Sequence, residues 1–241
     1  MLLISSCFIN GSLFAADPVK ILLITGGCCH DYDYQTSAMK EAFKESKIEV
    51  EWTVVNEGGK GTRAEIELYN HANWAEGYDV VIHNECFADT LSEEYIRKIT
   101  DAHRRGANAV VIHCAMHTYR ASKTDEWRKF LGVTSRKHDH QSNYPVKITA
   151  VNHPITQGIA TDWVTPKDEL YIIETVWPTA TVLATSVSEK DGSSNPVLWT
   201  NQYGQARVFG TTYGHSNETF ADKNFRKALV QGILWSAGRL K

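Results

Sequence analysis

The feature that most constrains the fold is a continuous apolar run that ends in glycines. Residues 20–27 read KILLITGG. An unbroken apolar sequence is typical of a parallel strand buried on both faces, and the glycines suit a tight turn at its carboxyl end. The run therefore predicts a buried first strand followed by a loop.

Four further segments extend this strand into a β/α pattern. Helical spacing over 35–46 precedes an alternating strand over 50–55, and the runs YDVVIH (78–83) and ANAVVIH (107–113) predict two more strands. Between these two strands, residues 92–105 begin with a serine and two glutamates that are typical of a capped helix. Right-handed crossovers then give a doubly wound, mostly parallel sheet of the flavodoxin-like kind.

The periodicity changes in the second half of the chain. Short alternating segments broken by proline and glycine predict an antiparallel β extension within 136–205, with strands at 146–151, 170–176 and 197–199. A hairpin loop at 201–204 then leads into a last strand at 206–213, which is followed by a helix over 222–237.

Length and charge exclude several classes of protein. The 241 residues suit one domain, which we place at 17–241. The net charge of -3 is made of interleaved acidic and basic residues, so no basic face is available for nucleic acid. No interior apolar run reaches the ~20 residues of a membrane helix, so we expect no integral membrane segment. The oligomeric state stays open.

The first sixteen residues, MLLISSCFINGSLFAA, resemble an export signal. They are apolar and small and end in two alanines before Asp17 and Pro18, although no lysine or arginine precedes the apolar stretch. We therefore expect an exported protein, periplasmic or extracellular. The segment ending at Cys7 also looks like a lipoprotein processing box, but its apolar stretch is too short, so lipidation is the weaker interpretation.

The remaining cysteines do not form a recognisable framework. They are Cys28, Cys29, Cys86 and Cys114. An adjacent pair does not readily bridge to itself and no C-x-x-C spacing occurs, so neither disulfides nor a structural zinc site are expected. The sequence predicts free thiols.

Histidines concentrate where the predicted strands end. Five of the ten histidines follow four of these strands, and they are His30, His83, His113, His117 and His215. Ligands bind at the carboxyl ends of strands in open parallel sheets, because loops and helix N-termini converge there. We expect a binding site at this edge, with His83, on an apolar strand, as a structural residue.

Imidazole and carboxylate groups are the predicted chemical groups of this site. His113, His117 and His215, with Glu169 or Glu218, are predicted either to hold a divalent ion such as zinc or to act as acid and base on a sugar. The spacing does not choose between these roles, and no cofactor is assigned.

A second set of residues is predicted to contact the substrate. It adjoins the expected crevice and comprises His30, Tyr119, Arg120, Tyr171 and Tyr213. Aromatic faces stack on sugar rings, and an arginine binds substrate oxygens. His138 and His140 are predicted to lie in a polar loop that is either exposed or closes over the site.

Three motifs together resemble the ThuA-like, or trehalose-utilisation, family. They are VVIHCAMHTYR (110–120), DELY (168–171) and RVFGTTYGHSNETF (207–220), and GILW (232–235) supports them. The resemblance covers nearly all of the chain after residue 16. It implies a fold of the class I glutamine amidotransferase-like type and a role in carbohydrate use, on disaccharides or their keto forms.

The sequence leaves three functions open. The first is an enzyme acting on a disaccharide or its 3-keto derivative through histidine-based or metal-assisted chemistry. The second is an amidase-like thiol hydrolase that uses Cys114, His215 and Glu218, although the glycines usual at a nucleophile elbow are missing. The third is a non-catalytic sugar-binding domain.

Overall fold

A computed structural model describes residues 17–241, which form an α/β fold with a β-sheet flanked by helices on both faces. The predicted export signal lies outside these residues. The strands β1 to β10 are Val19–Gly27, Val50–Asn56, Val80–Cys86, Ala109–Ile112, Val133–Ser142, Lys147–Ile148, Asp168–Val176, Ala180–Val187, Ser194–Tyr203 and Ala206–Thr211. The helices α1 to α5 are Tyr32–Glu45, Glu93–Arg104, Glu126–Leu131, Asn217–Ala221 and Lys223–Ser236. Short 3-10 turns cover Glu67–Asn70, His113–Met116 and Pro154–Thr156.

The main sheet has eight strands in the order β2-β1-β3-β4-β10-β9-β8-β6. The pairs from β2 to β10 are parallel, and β9, β8 and β6 then continue the sheet in antiparallel fashion. This arrangement confirms the doubly wound sheet with an antiparallel extension. Strands β5 and β7 form a separate antiparallel pair, and their residues reach the carboxyl ends of the parallel strands.

The apolar run of β1 contributes to two cores because side chains alternate across a strand. Ile21 and Leu23 face the core under α1 and α5, and Leu22 and Ile24 face the core under α2 and α3. All four side chains are fully buried. Burial of each contributes about 1.5–3 kcal/mol, so this strand anchors both layers of helices.

The secondary structure of residues 133–142 differs from the prediction. His138 and His140 lie in β5 rather than in a loop, because the backbone of Val133–Ser142 pairs with β7 although its sequence is mostly polar. Register irregularities interrupt the pairing at three points and remove the regular apolar alternation that predicts a strand. None of the helices within 17–241 is long and apolar enough to cross a membrane.

Candidate functional site at the strand ends

Three histidines from three separate loops meet at the carboxyl edge of the parallel sheet. His30 follows β1, His113 follows β4 and His215 follows β10. One ring nitrogen of each lies within 4.8 Å of the other two. Strand β3 separates β1 from β4, and β10 adjoins β4, so the topology brings residues distant in sequence together. We call these three residues the histidine cluster.

His113 occupies the sharp turn where β4 ends. Its φ of 44° lies in the left-handed region, which is uncommon for a residue other than glycine. A 3-10 turn, His113–Met116, begins at this residue. The turn position therefore belongs to His113 rather than to Cys114, and the His113 side chain is 1% exposed and points into the histidine cluster.

Backbone carbonyls fix the tautomers of two cluster imidazoles. Nδ1 of His113 donates to the Thr212 carbonyl at 2.6 Å, and Nδ1 of His30 donates to the His215 carbonyl at 3.2 Å. Each Nε2 then carries a lone pair. Burial, followed by the charge of neighbouring histidines, lowers the pKa of His30 to about 4 and that of His113 well below its usual value. Burial therefore favours the neutral form of both rings.

Glu169 of β7 brings a carboxylate to the cluster. Its Oε2 lies 3.3 Å from Nδ1 of His215, 3.6 Å from Nε2 of His113 and 3.7 Å from Nδ1 of His138. Nδ1 of His215 has no hydrogen-bond partner within the described residues, so its contact with Glu169 is mainly electrostatic. Partial burial alone raises the pKa of Glu169, but His215 and His138 outweigh it and the pKa is lowered.

The same contact acts on the imidazole of His215. Close approach of the Glu169 carboxylate raises the pKa of His215 above its usual value, although partial burial opposes this effect. An ionised carboxylate therefore lies beside an imidazole that readily takes a proton. Such a pair has the chemistry required for proton transfer, and imidazole nitrogens with a free lone pair are of the type that binds cations.

Two residues that sequence reasoning missed position His215. Asp168 is buried, and its carboxylate accepts the backbone N–H groups of Gly214, at 3.0 Å, and His215, at 3.3 Å. Burial raises the pKa of Asp168 to about 6 against these hydrogen bonds. The side-chain amide of Gln141 contacts Nε2 of His215 at 2.7 Å. The acidic pair at 168 and 169 within DELY was the signal available for Asp168, whereas no pattern pointed to Gln141.

His117 and Tyr171 form a layer behind the cluster. Their rings stack with centroids 3.9 Å apart, and the Tyr171 hydroxyl lies 3.3 Å from Nε2 of His113. Nε2 of His117 contacts the Ser135 hydroxyl at 3.1 Å instead of the other histidines. The predicted trio of His113, His117 and His215 is therefore not the trio that converges, since His30 takes the place of His117.

The other predicted contact residues lie farther from the cluster. Tyr119 is buried against Tyr95 and Trp127, and the buried Tyr213 hydroxyl bonds to Ser186. The guanidinium of Arg120 donates to the backbone carbonyl of residue 136.

The predicted free thiols are wrong. Cys28 is bonded to Cys29, and Cys86 is bonded to Cys114. The ends of β3 and β4 bring Cys86 and Cys114 to a Cα separation of 5.3 Å, which suits a disulfide and which spacing along the chain does not reveal.

The predicted thiol triad of Cys114, His215 and Glu218 is also wrong. Cys114 has no thiolate for nucleophilic attack while it is bonded. Glu169, and not Glu218, is the carboxylate in contact with His215. Glu218 instead lies in the first turn of α4 and lines a neighbouring cleft.

Two polar clefts flank the histidine cluster. One, of about 320 Å³, is lined by His30, Asp31, Asp33, Asn56 and Lys60 among others. The other, of about 570 Å³, is lined by residues that include Gln141, Asn143, Lys167, His215 and Glu218. Both volumes fall in the range of small-molecule sites, and their carboxylate, amide and ammonium groups suit a ligand rich in hydroxyls.

Solved structures share this fold. A ThuA-like protein from Parabacteroides merdae superposes with a TM-score of 0.77 at 22% identity, covering 93% of this chain and 92% of its own. A ThuA-like protein from Bacteroides uniformis gives 0.71 at 16% identity, with 96% of each chain covered. A protein from Thermoplasma acidophilum described as part of a GMP synthase gives 0.57 at 10% identity, covering 93% and 96%. The fold is therefore of the glutamine amidotransferase-like type.

Sequence comparison identifies the family. A search of curated proteins finds no match. The family model for ThuA, described as trehalose utilisation, matches residues 20–236, which include every residue of the histidine cluster. This family supports a carbohydrate-related role. The chain belongs to the ThuA trehalose utilisation family.

Proposed function

We propose that this protein is an exported enzyme that acts on a disaccharide or its 3-keto derivative, with Glu169 and His215 moving the protons. The observation that carries the proposal is the 3.3 Å contact between the Glu169 carboxylate and the His215 imidazole at the mouth of the strand-end crevice. His215 is 22% exposed and Glu169 12% exposed, so both are reachable by a ligand.

The two groups suit opposite halves of one proton transfer. On a 3-keto sugar, Glu169 takes the proton from the carbon next to the carbonyl, and protonated His215 gives its proton to the carbonyl oxygen. An enediol results and no redox agent is needed. If Glu169 returns its proton to the other carbon and the hydroxyl on the first carbon loses its proton to form a carbonyl, the sugar is isomerised. If instead the enediol hydroxyl returns its proton to His215 and the carbonyl re-forms, the glycosidic oxygen leaves the adjacent carbon with the proton held by Glu169, and the sugar is cleaved.

The clefts on either side of the cluster support a substrate with two rings. His30 lines one cleft and His215 lines the other, and the two residues touch through the His30 Nδ1 contact with the His215 carbonyl. A disaccharide bridging both clefts places the bond between its rings over the catalytic pair. A single sugar fills only one cleft.

Export is a separate part of the proposal and rests on the sequence of residues 1–16 alone. Expression of the full chain followed by fractionation tests it. We expect a periplasmic or secreted product whose N-terminus, read by mass spectrometry, begins near Asp17. A product that stays in the cytoplasm with its first sixteen residues intact contradicts export. It does not affect the proposed reaction.

Proton NMR tests the activity directly. Purified protein is mixed with a 3-keto-disaccharide and, separately, with the unoxidised parent sugar, and signals are followed over time. We expect consumption of the keto sugar by the natural protein and by His140→Ala, because His140 is half exposed and pairs with Glu189 outside the cluster. We expect none with His215→Ala. Binding of sugar without turnover favours a sugar-binding domain.

A further inference from the structure

We infer that His30, His113, His215 and Glu169 form a binding site for one divalent transition-metal ion. The three imidazoles come from different strand ends, and a nitrogen from each lies within 4.8 Å of the others. The Glu169 carboxylate lies 3.3 Å from His215 and 3.6 Å from His113. Imidazole nitrogens with one carboxylate oxygen are the donor set preferred by zinc and related metals.

The orientation of the rings is the second argument. A metal-binding histidine usually donates its other ring N–H to a carbonyl or carboxylate, which fixes the ring and leaves the free nitrogen for the ion. His113 does this through the Thr212 carbonyl and His30 through the carbonyl of His215. These two supporting contacts exist before any ion binds.

The rigidity of the surrounding backbone supports the same site. Nε2 of His113 projects from a turn held at a positive φ, and Asp168 holds the backbone N–H of His215. Zinc–nitrogen distances of about 2.0–2.1 Å require ring nitrogens nearer together than 4.8 Å. Rotation of His30 and His215, which are only partly buried, supplies this contraction.

Charge balance favours a dication in this position. The carboxylate of Glu169 lies 3.6 Å from Nε2 of His113, and the acidic residue Asp168 precedes Glu169 in the chain. The nearby cysteine sulfurs are not competing ligands here, because all four are paired in disulfides. The histidine cluster is therefore the donor set available at this edge of the sheet within residues 17–241.

The role of the ion rests on the proposed function, but its binding does not. A bound dication polarises the carbonyl oxygen of a keto sugar and stabilises the enediolate that follows proton removal. Binding itself is measurable without any sugar, so the two proposals fail separately.

Titration of the chelator-treated, dialysed protein with cobalt(II) and zinc(II) tests the site. We expect one equivalent to bind by calorimetry, with visible cobalt absorption typical of nitrogen and oxygen ligands. His113→Ala and His215→Ala are expected to weaken binding at least 100-fold and Glu169→Gln about 10-fold. His140→Ala is the matched control and binds as the natural protein does. Circular dichroism confirms that each variant is folded. His30→Gln is a milder change, because glutamine is close in size to histidine.

Absence of binding overturns the inference, as does binding that all three histidine variants retain. If one ion binds through the cluster but no sugar is consumed, the metal site stands and the proposed function fails. If keto sugar is consumed equally with and without chelator, and no ion binds, the proposed function stands and the metal site fails.

Discussion

Two buried or partly buried clusters of histidine and carboxylate stand out within residues 17–241, and they differ in exposure to solvent. In the core cluster, Nδ1 of His83 contacts Oε1 of Glu85 at 2.9 Å and its Nε2 contacts Nε2 of His103 at 2.9 Å. Nδ1 of His103 donates to the Ala107 carbonyl at 2.6 Å. All three side chains have no measurable exposure.

The two clusters differ in whether their imidazole nitrogens remain free to bind a ligand. Every ring nitrogen of His83 and His103 is engaged within the fold, so neither imidazole has a free nitrogen for a ligand. In the histidine cluster at the strand ends, His30 and His113 commit one nitrogen each to backbone carbonyls and direct the other toward a shared space. The presence of histidine and carboxylate therefore does not by itself indicate a binding site. Free ring nitrogens that converge beside a crevice do indicate one.

The largest effect is expected from Glu169→Gln. This variant keeps the size of the side chain but removes the charge beside His215 and the proton-accepting group. We expect the rate of keto-sugar consumption to fall about 10²–10⁴-fold. The midpoint of thermal unfolding should change little, because Glu169 is at the surface of the crevice. An unchanged rate contradicts its assignment to catalysis.

The opposite pattern is expected from His103→Ala. The variant leaves His83 without its partner and opens a cavity beside Phe130, on which the His103 ring stacks with centroids 4.2 Å apart. We expect the free energy of unfolding to fall by about 3 kcal/mol or more, as measured by urea denaturation. Activity per folded molecule should stay the same. A loss of activity in fully folded protein contradicts the assignment of a purely structural role to the core cluster.

A disulfide joins the two regions, since Cys86 follows Glu85 and Cys114 follows His113. The double variant Cys86→Ala with Cys114→Ala removes the link without leaving an unpaired thiol. Loss of a cross-link between residues separated by 28 positions is expected to lower the free energy of unfolding by about 2–4 kcal/mol. Equal stability of the natural protein with and without reductant contradicts this expectation.

The smallest effect is expected at Glu126, near the core cluster. Partial burial alone raises its pKa, but hydrogen bonds from Lys129 and Tyr203 and the charges of Lys129 and Arg104 outweigh burial and lower it. A lowered pKa means that Glu126 stabilises the fold above its unfolded-state pKa and loses this contribution as the pH falls through its folded-state value.

Glu126→Gln is therefore expected to cost about 1 kcal/mol or less at pH 7 and nothing in strong acid. Urea denaturation of both proteins across this pH range measures the difference. A cost that does not change with pH shows that lost packing rather than charge is responsible.

Local patterns account for most of the fold and for the edge that carries the site. The apolar run 20–27 predicts β1 because a strand buried on both faces needs no polar residue, and Ser92 predicts the start of α2 because its hydroxyl caps that helix. The polar strand β5 escaped prediction because its backbone pairing, not the burial of alternate side chains, holds it in place.

The sequence by itself determined the doubly wound sheet and placed His30, His113 and His215 at its carboxyl edge, because hydrophobic periodicity and strand-end position are local properties. Only the tertiary structure decided that these three converge, that Glu169 rather than Glu218 meets His215, and that the cysteines are paired. These outcomes depend on strand order and loop direction, which bring together residues as far apart as 30 and 215 and which no local pattern records.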